Sequence, residues 1–498
     1  MIKMNLIALL LATMVLFSVK TSVAQNTTFK LSDYKNPDYL YQSLDLNFGL
    51  NNSLSLQKNN TETDDYNLNN YIFNGDVQVY YSSYANSLKS QSEMQASLSG
   101  FLSNTSTHNT REQYNSESKQ NDFSHGESFN INGLKRFYNA KQNYFEVRGN
   151  LSLNYSGVAG KSKAYISNTL ESSGEDNTKS FRNSITGSFL IGKGRIEQVQ
   201  DARMALFLLD DLNRLNREKR IASDEDVIEL ARLITSLRYK RSFDNRLRKI
   251  AEITAIDSFM QQKGIVSKTD ATYFTSINDN WDFANNPARN SGWRLYTGIE
   301  GSFDYFYYKN TSEAILPSPD FTERNDDRHG LGAYAVAGLS HEKPISLKWQ
   351  RSASIKAMVG TYFRQSESKI TDSPDLNVYD GTLPAVLLAA NFGYGYYPNS
   401  RTWLTANWSL VSRFDKQYSG TSKEDKEYSS NRFYTFTGPQ VQAYYYLSEK
   451  LRLSLSFSGQ FTIDTEKNID TYPDGTDTKQ TYTNYYQQLN ATLTYSLF

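Results

Sequence analysis

The residues able to carry chemistry in this chain are few and scattered. Its four histidines, His108, His125, His329 and His341, lie far apart, and none falls in a metal-ligand spacing such as His-x-x-x-His. His125 has serines beside it, Ser124 and Ser128, which is the composition of a hydrolase triad without its geometry. Asp326 and Asp327 precede His329, and Asp470, Asp474 and Asp477 crowd one segment, as calcium-binding carboxylates can. Pro473-Asp474-Gly475 reads more simply as a turn. Gly192 and Gly194 are followed by no Gly-Lys-Ser/Thr and form no phosphate loop. No catalytic, cofactor or metal site is expected, and the chain is read as not an enzyme.

What positions side chains here is a period of two. Leu44, Leu46, Phe48, Leu50, Leu54 and Leu56 share one face of an extended strand. The same alternation runs through Tyr71–Tyr81, Met94–Leu102, Phe145–Tyr155 and Phe181–Ile191, with a weaker strand at Phe129–Phe137. It resumes in Trp293–Tyr307, Leu331–Leu339, Ile345–Phe363, Leu404–Leu410, Val441–Leu447 and Leu451–Ile463. A strand beginning at Leu383 has ambiguous facing. Short connections are expected near Leu88–Ser90, Asn139–Lys141, His341–Pro344, Pro398–Ser400 and Ser448–Lys450. Long ones are expected near Lys58–Asn69, Asn104–Ser124, Val158–Thr178, Asn310–Asp327, Ser366–Gly381, Lys416–Ser430 and Thr465–Thr481. Short turns on one side and long loops on the other are the rhythm of a membrane barrel.

The ends of the chain agree. Lys3, the apolar run Leu6–Val19 and Ser22-Val23-Ala24 read as a signal peptide cleaved after Ala24. The final strand places Leu489, Ala491, Leu493, Tyr495 and Leu497 on one face and ends in Phe498, which lies out of phase with them. Acidic and basic residues balance at 53 each, which argues against nucleic acid as a partner, and the absence of cysteine excludes disulfides.

The expected fold is an all-β membrane barrel of about 14 antiparallel transmembrane strands, within roughly 12–16. A small three-helix insert is expected between strands 6 and 7. The divisions are 1–24 signal peptide, 25–194 first barrel part, 195–290 helical insert and 291–498 second barrel part. Trp293, Trp349 and Tyr445 are placed for an interfacial aromatic girdle. In the insert, Ile196, Val199, Arg203, Leu206, Leu209 and Leu212 recur at helical spacing, and Ser223 with Asp226 makes a capping box.

Opposite the apolar faces, the expected lumen carries Asp76, Glu146, Arg148, Arg182, Arg294, Glu300, Asp304, Lys348, Lys356 and Arg364, with mixed signs that predict no strong ion selectivity. The basic cluster Arg238, Lys240, Arg241, Arg246, Arg248 and Lys249 reads as a solvated helix face, a docking surface or part of a plug.

On the C-terminal strand, the leader and the strand rhythm, the chain resembles Gram-negative outer-membrane β-barrels of the Bacteroidota type. The resemblance implies outer-membrane lipid as surroundings, recognition of the C-terminal strand by the barrel assembly machinery, and a periplasmic insert. No plug domain of the TonB-dependent kind fits before Tyr39. The mixed polar lumen face and the helical insert leave two functions expected: a passive channel for small polar solutes, or a closed adaptor barrel whose insert docks a periplasmic protein or peptidoglycan.

Overall fold

The computed structural model describes residues 29–60, 65–111, 114–238, 248–283, 289–316, 318–373, 376–420, 428–448, 451–470 and 478–495. The expected leader and the terminal Leu497 and Phe498 lie outside them, as do Asp474 and Asp477. Six long strands come first: β1 (Tyr39–Asn60), β2 (Asp65–Asn86), β3 (Ser90–Arg111), β4 (Ser116–Tyr138), β5 (Asn143–Ile166) and β6 (Thr169–Lys193). A short β7 (Ile196–Gln198) leads into helices α1 (Gln200–Arg214), α2 (Asp224–Arg238), α3 (Arg248–Gln262) and α4 (Ala271–Phe283). Strands β8 (Asn290–Leu316), β9 (Asp320–Pro344), β10 (Trp349–Ile370), β11 (Leu376–Tyr396), β12 (Thr402–Gly420), β13 (Tyr428–Tyr446), β14 (Leu451–Asp470) and β15 (Thr478–Tyr495) follow.

Every long strand pairs antiparallel with its neighbour in the chain, β6 pairing with β8 across the insert. Among the described residues the pairing path runs from β1 to β15 and does not join its two ends. One face is apolar and uncovered: Phe48, Leu98, Phe189, Ile299, Leu331 and Leu489 are each more than half exposed. That band begins at the short turns and rises through segments such as Phe145–Tyr155 and Phe303–Trp293. Its height matches the ~9–11 residues a tilted strand needs to cross hydrocarbon. An apolar area of that extent is far beyond what a soluble surface carries.

Three expectations are corrected. The long loops are largely paired strand: Val158–Thr178, expected as a loop, is a hairpin turning at Ser167–Asn168, both with positive φ (50° and 64°). Polar Ser, Thr and Asn on both faces give no alternation to read, yet the apolar strands beneath fix the register and carry pairing onward. The turn before β10 spans Ile345–Lys348 rather than His341–Pro344, because Pro344 still lies in β9, where its missing N–H is tolerated at the strand end. The insert has four helices, not three. The ambiguous facing near Leu383 has its cause in a bulge between Thr382 and Ala385, which shifts the phase of β11.

The insert is held by its stripes. Ser223 and Asp226 form the expected capping box, Ser223 N to Asp226 Oδ2 at 2.9 Å and Asp226 N to Ser223 Oγ at 3.3 Å. Ala205, Leu208 and Leu212 of α1, Val227, Leu230 and Ile234 of α2, Ile256 and Met260 of α3 and Tyr273 and Ile277 of α4 make one buried core. That core also takes in Phe29, Leu31 and Tyr34 from the start of the described chain, and Leu347, Tyr397 and Trp403 from the turn end of the sheet. The sheet therefore curls about the insert. A 3₁₀ turn at Leu31–Asp33 lies against β8 and β9, in the middle of the pairing path, although β1, which it feeds, is at one end of that path. The N-terminal segment thus crosses from β1 to β8 and β9.

Candidate functional site

The polar face holds its charges in short compensated rows. Arg136 of β4 and Glu146 of β5 are register partners, both almost fully buried. Arg136 Nε donates to Glu146 Oε2 at 2.5 Å and Nη1 to Glu93 Oε1 at 3.3 Å, while Arg148 Nη2 reaches Glu146 Oε1 at 2.7 Å. Glu93, Arg136, Glu146 and Arg148 therefore run as alternating signs. Removing one would leave a buried charge uncompensated, which is where the strength of such a row lies.

The other expected lumen residues divide. Glu300 accepts Ser188 Oγ at 3.0 Å and faces Lys356 Nζ at 3.5 Å. Arg182 lies 5.4 Å from the Phe306 ring centroid, with Arg328 at 5.2 Å from the same ring. Asp76 fills the space left by Gly49, whose added Cβ would meet the carboxylate. Asp304 pairs in register with Ser184 and Gly330, and Arg364 with Gly330 and Asp380. Arg294, the fifth residue of β8, pairs in register with Ser340 of β9. Lys348 does not face the lumen from a strand; it sits in the turn and its carbonyl accepts Tyr397 N at 2.7 Å.

The basic cluster is not one surface. Arg238 is buried, 3.8 Å from Asp201 Oδ1 and over the Trp281 ring at 5.8 Å, so its charge serves the interior of the insert. Lys240, Arg241 and Arg246 lie outside the described residues. Arg248 and Lys249 open α3, and Lys249 Nζ bonds Asp282 Oδ2 at 2.7 Å. His125 lies between the rings of Phe123 (5.9 Å) and Tyr155 (5.8 Å). Asp326 is buried and engaged by Arg324 Nε at 3.1 Å and Ser368 Oγ at 2.6 Å.

Residues that sequence reasoning missed join the insert to the sheet. Arg289 donates to the carbonyls of Leu347, Ser346 and Trp349 and to Gln350 Oε1. Arg289 and Arg203 lie over the Tyr397 ring at 5.0 and 5.5 Å. Burial pulls both guanidinium groups down, Arg203 to about 9 and Arg289 to about 10. The signal for Arg203 was present: an arginine inside an apolar helical stripe. Trp403 stacks on Tyr444 at 4.5 Å, Phe283 packs on Tyr446 at 5.1 Å, and Arg401 covers Phe283 at 4.7 Å. Trp403, Tyr444 and Tyr446 are in phase with Thr405 and Gln442, so the insert is seated on the polar face of the sheet.

A cavity of about 670 Å³ opens on the polar face of β1–β5, bounded by Gln198 and Gln200 at the start of the insert. Its lining mixes donors and acceptors of both kinds, with Glu93 and Arg148 as its charged members.

No family model matches the chain, and no curated protein matches it. Solved structures are similar at low level. The translocator domain of the autotransporter NalP from Neisseria meningitidis is 9% identical over 82% of this chain and 89% of that one, with a TM-score of 0.22. The toluene transporter TodX from Pseudomonas putida is 10% identical over 88% and 89%, with a TM-score of 0.28. The transport unit of the autotransporter AIDA-I from Escherichia coli is 7% identical over 83% and 91%, with a TM-score of 0.22. Likeness of that degree carries no argument about function.

Proposed function

We propose that this chain is an outer-membrane β-barrel that passes small polar solutes, with its helical insert and N-terminal segment forming a plug at the turn end. The observation that carries the reading is the seat of the insert: its core is continuous with Leu347, Tyr397 and Trp403 at the sheet's turn end, and Gln198 and Gln200, which lead into it, bound a cavity of about 670 Å³ on β1–β5. The uncovered apolar band supports a lipid environment. In this reading the short turns and the insert face the periplasm, the C-terminal strand engages the assembly machinery, and the chain does no chemistry of its own.

The insert can be removed at a natural joint. Gln198 pairs with Asn290, and Val199 N bonds Arg289 O at 2.8 Å, so a tight turn can replace residues 200–288. Planar-bilayer conductance of the full protein and of this variant is the test. Steps in the variant alone, or more frequent there than in the full protein, support the plug. Equal steps in both remove the plug and keep the channel. Silence from both, with folding checked by heat-dependent gel mobility, sinks the channel.

That last outcome would favour the second reading, a closed adaptor. Ile221 (62% exposed) and Ile250 (78% exposed) support it, since they leave apolar side chains on the outward surface of the insert. A periplasmic protein or peptidoglycan would be the partner.

A further inference from the structure

The cavity beside the insert repeats one kind of chemistry. Register sets Ser82 opposite Gln95, Gln95 opposite Asn132, and Asn132 opposite Asn150. Directly opposed residues share a face, and neighbouring strands lie about 4.8 Å apart. Three carboxamides therefore stand in file at a spacing close to the width of one pyranose ring. Each carries two N–H donors and a carbonyl acceptor, of which Asn132 Nδ2 already donates to Gln95 Oε1 at 3.5 Å. Tyr41 and Tyr84 line the β1–β2 side of the same cavity.

The row nearer the turns carries Glu93 and Arg148, joined in alternating sign through Arg136 and Glu146. An anion meets the glutamate and a cation meets the arginine, while each charge already has a partner in the row. An apolar solute would cover carboxamides without satisfying them, at the cost of lost hydrogen bonds to water. Hydroxyl groups both donate and accept, which is what a file of carboxamides answers. Tyrosine rings can cover the C–H face of a sugar while its hydroxyls reach the amides. The volume lies within the range of about 300–1,000 Å³ usual for small-molecule sites.

We propose that this cavity binds a neutral saccharide of one or two rings through Gln95, Asn132 and Asn150. The assignment rests on reading the polar face as a solute path.

The test uses the full protein from Gln25 in detergent micelles, with saturation-transfer NMR on maltose as the probe. Diglycine and inorganic phosphate serve as comparison solutes. Saturable maltose binding is expected, weakened about tenfold in Gln95→Ala and in Asn132→Ala. Asn132→Asp keeps the shape and removes the donors, and it should weaken maltose by a similar factor even if the alanine variants fold poorly. Absence of saturable maltose binding overturns the proposal, as does equal binding of diglycine or phosphate, or full binding by Asn132→Asp. Conductance separates the two readings. Open steps without maltose binding keep the channel and overturn the saccharide, whereas maltose binding by a protein that is silent both with and without residues 200–288 upholds the site and overturns the channel.

Discussion

Arg401, in the turn between β11 and β12, donates Nε to Asp279 Oδ2 of α4 at 2.9 Å, with a second bond from Nη2 to Oδ1. This pair bolts the fourth helix to the rim of the sheet, and the same guanidinium covers Phe283. Both partners are about one-third exposed (34% each), so solvent screening limits the pair to about 1 kcal/mol. On the proposed plugged-channel reading, Arg401→Ala or Asp279→Ala should raise the open fraction about fivefold. Single-channel open probability measures it, and an unchanged value in both variants would show that the pair does not hold the plug.

Arg289 carries a heavier load. It is 1% exposed and serves three turn carbonyls and one side-chain amide. Arg289→Ala strands those acceptors and should cost about 3 kcal/mol. Arg289→Lys should rescue little, since a single ammonium cannot reproduce the planar fork. Thermal loss of heat-dependent gel mobility reads the effect, and full rescue by lysine would count against the geometric account.

The helical core should melt without the sheet. Leu230 and Ile256 are fully buried within the insert, and Leu230→Ala or Ile256→Ala should cost about 2–5 kcal/mol there. Helical circular dichroism should lose its upper transition while gel mobility of the barrel stays as it was. A simultaneous fall of both would mean that insert and sheet unfold as one unit.

Acid should loosen the insert in a defined window. The hydrogen bond from Arg220 holds the Asp226 carboxyl below its usual range, and Arg217 does the same for Asp270. For a carboxyl lowered by folding, stability is present above its unfolded pKa, about 3.9, and is lost as pH falls through the lower folded value. Asp201 runs the other way, since burial raises its carboxyl and protonation favours the folded form. Helical signal should therefore decline below about pH 4, and Asp226→Asn should flatten that decline. An acid profile identical in wild type and Asp226→Asn would contradict the assignment.

Legibility in the sequence followed the physics of each segment. Phe145–Tyr155 was readable because one face is apolar and the other polar. The same strand above Val158 was not, because both faces are polar and nothing marks the phase. The Ser223–Asp226 box was legible since capping is local. Helix α4 was missed because Tyr273, Ile277 and Trp281 are spaced by four within only 13 residues otherwise rich in Thr, Asn and Asp. Lys348 was misplaced when a proline was taken as a turn. Arg148 and Glu146 were visible as inward charges, but their partner Arg136 emerges only once the Asn139–Gln142 turn sets the β4–β5 register. The Arg203–Tyr397–Arg289 stack joins positions that no local pattern connects.

Tyr34 Oη lies 3.4 Å from Thr235 Oγ1, and Asn36 donates to the Gln198 carbonyl, so the leading segment is stitched to the middle of the chain. The helices that hold it are synthesised some two hundred residues later. The leading segment at Tyr34 and Asn36 therefore cannot reach its final place as the chain emerges. It must wait until the central segment has arrived and folded. Maturation of this protein then has a built-in order: the part of the chain made first is seated only after a part made much later.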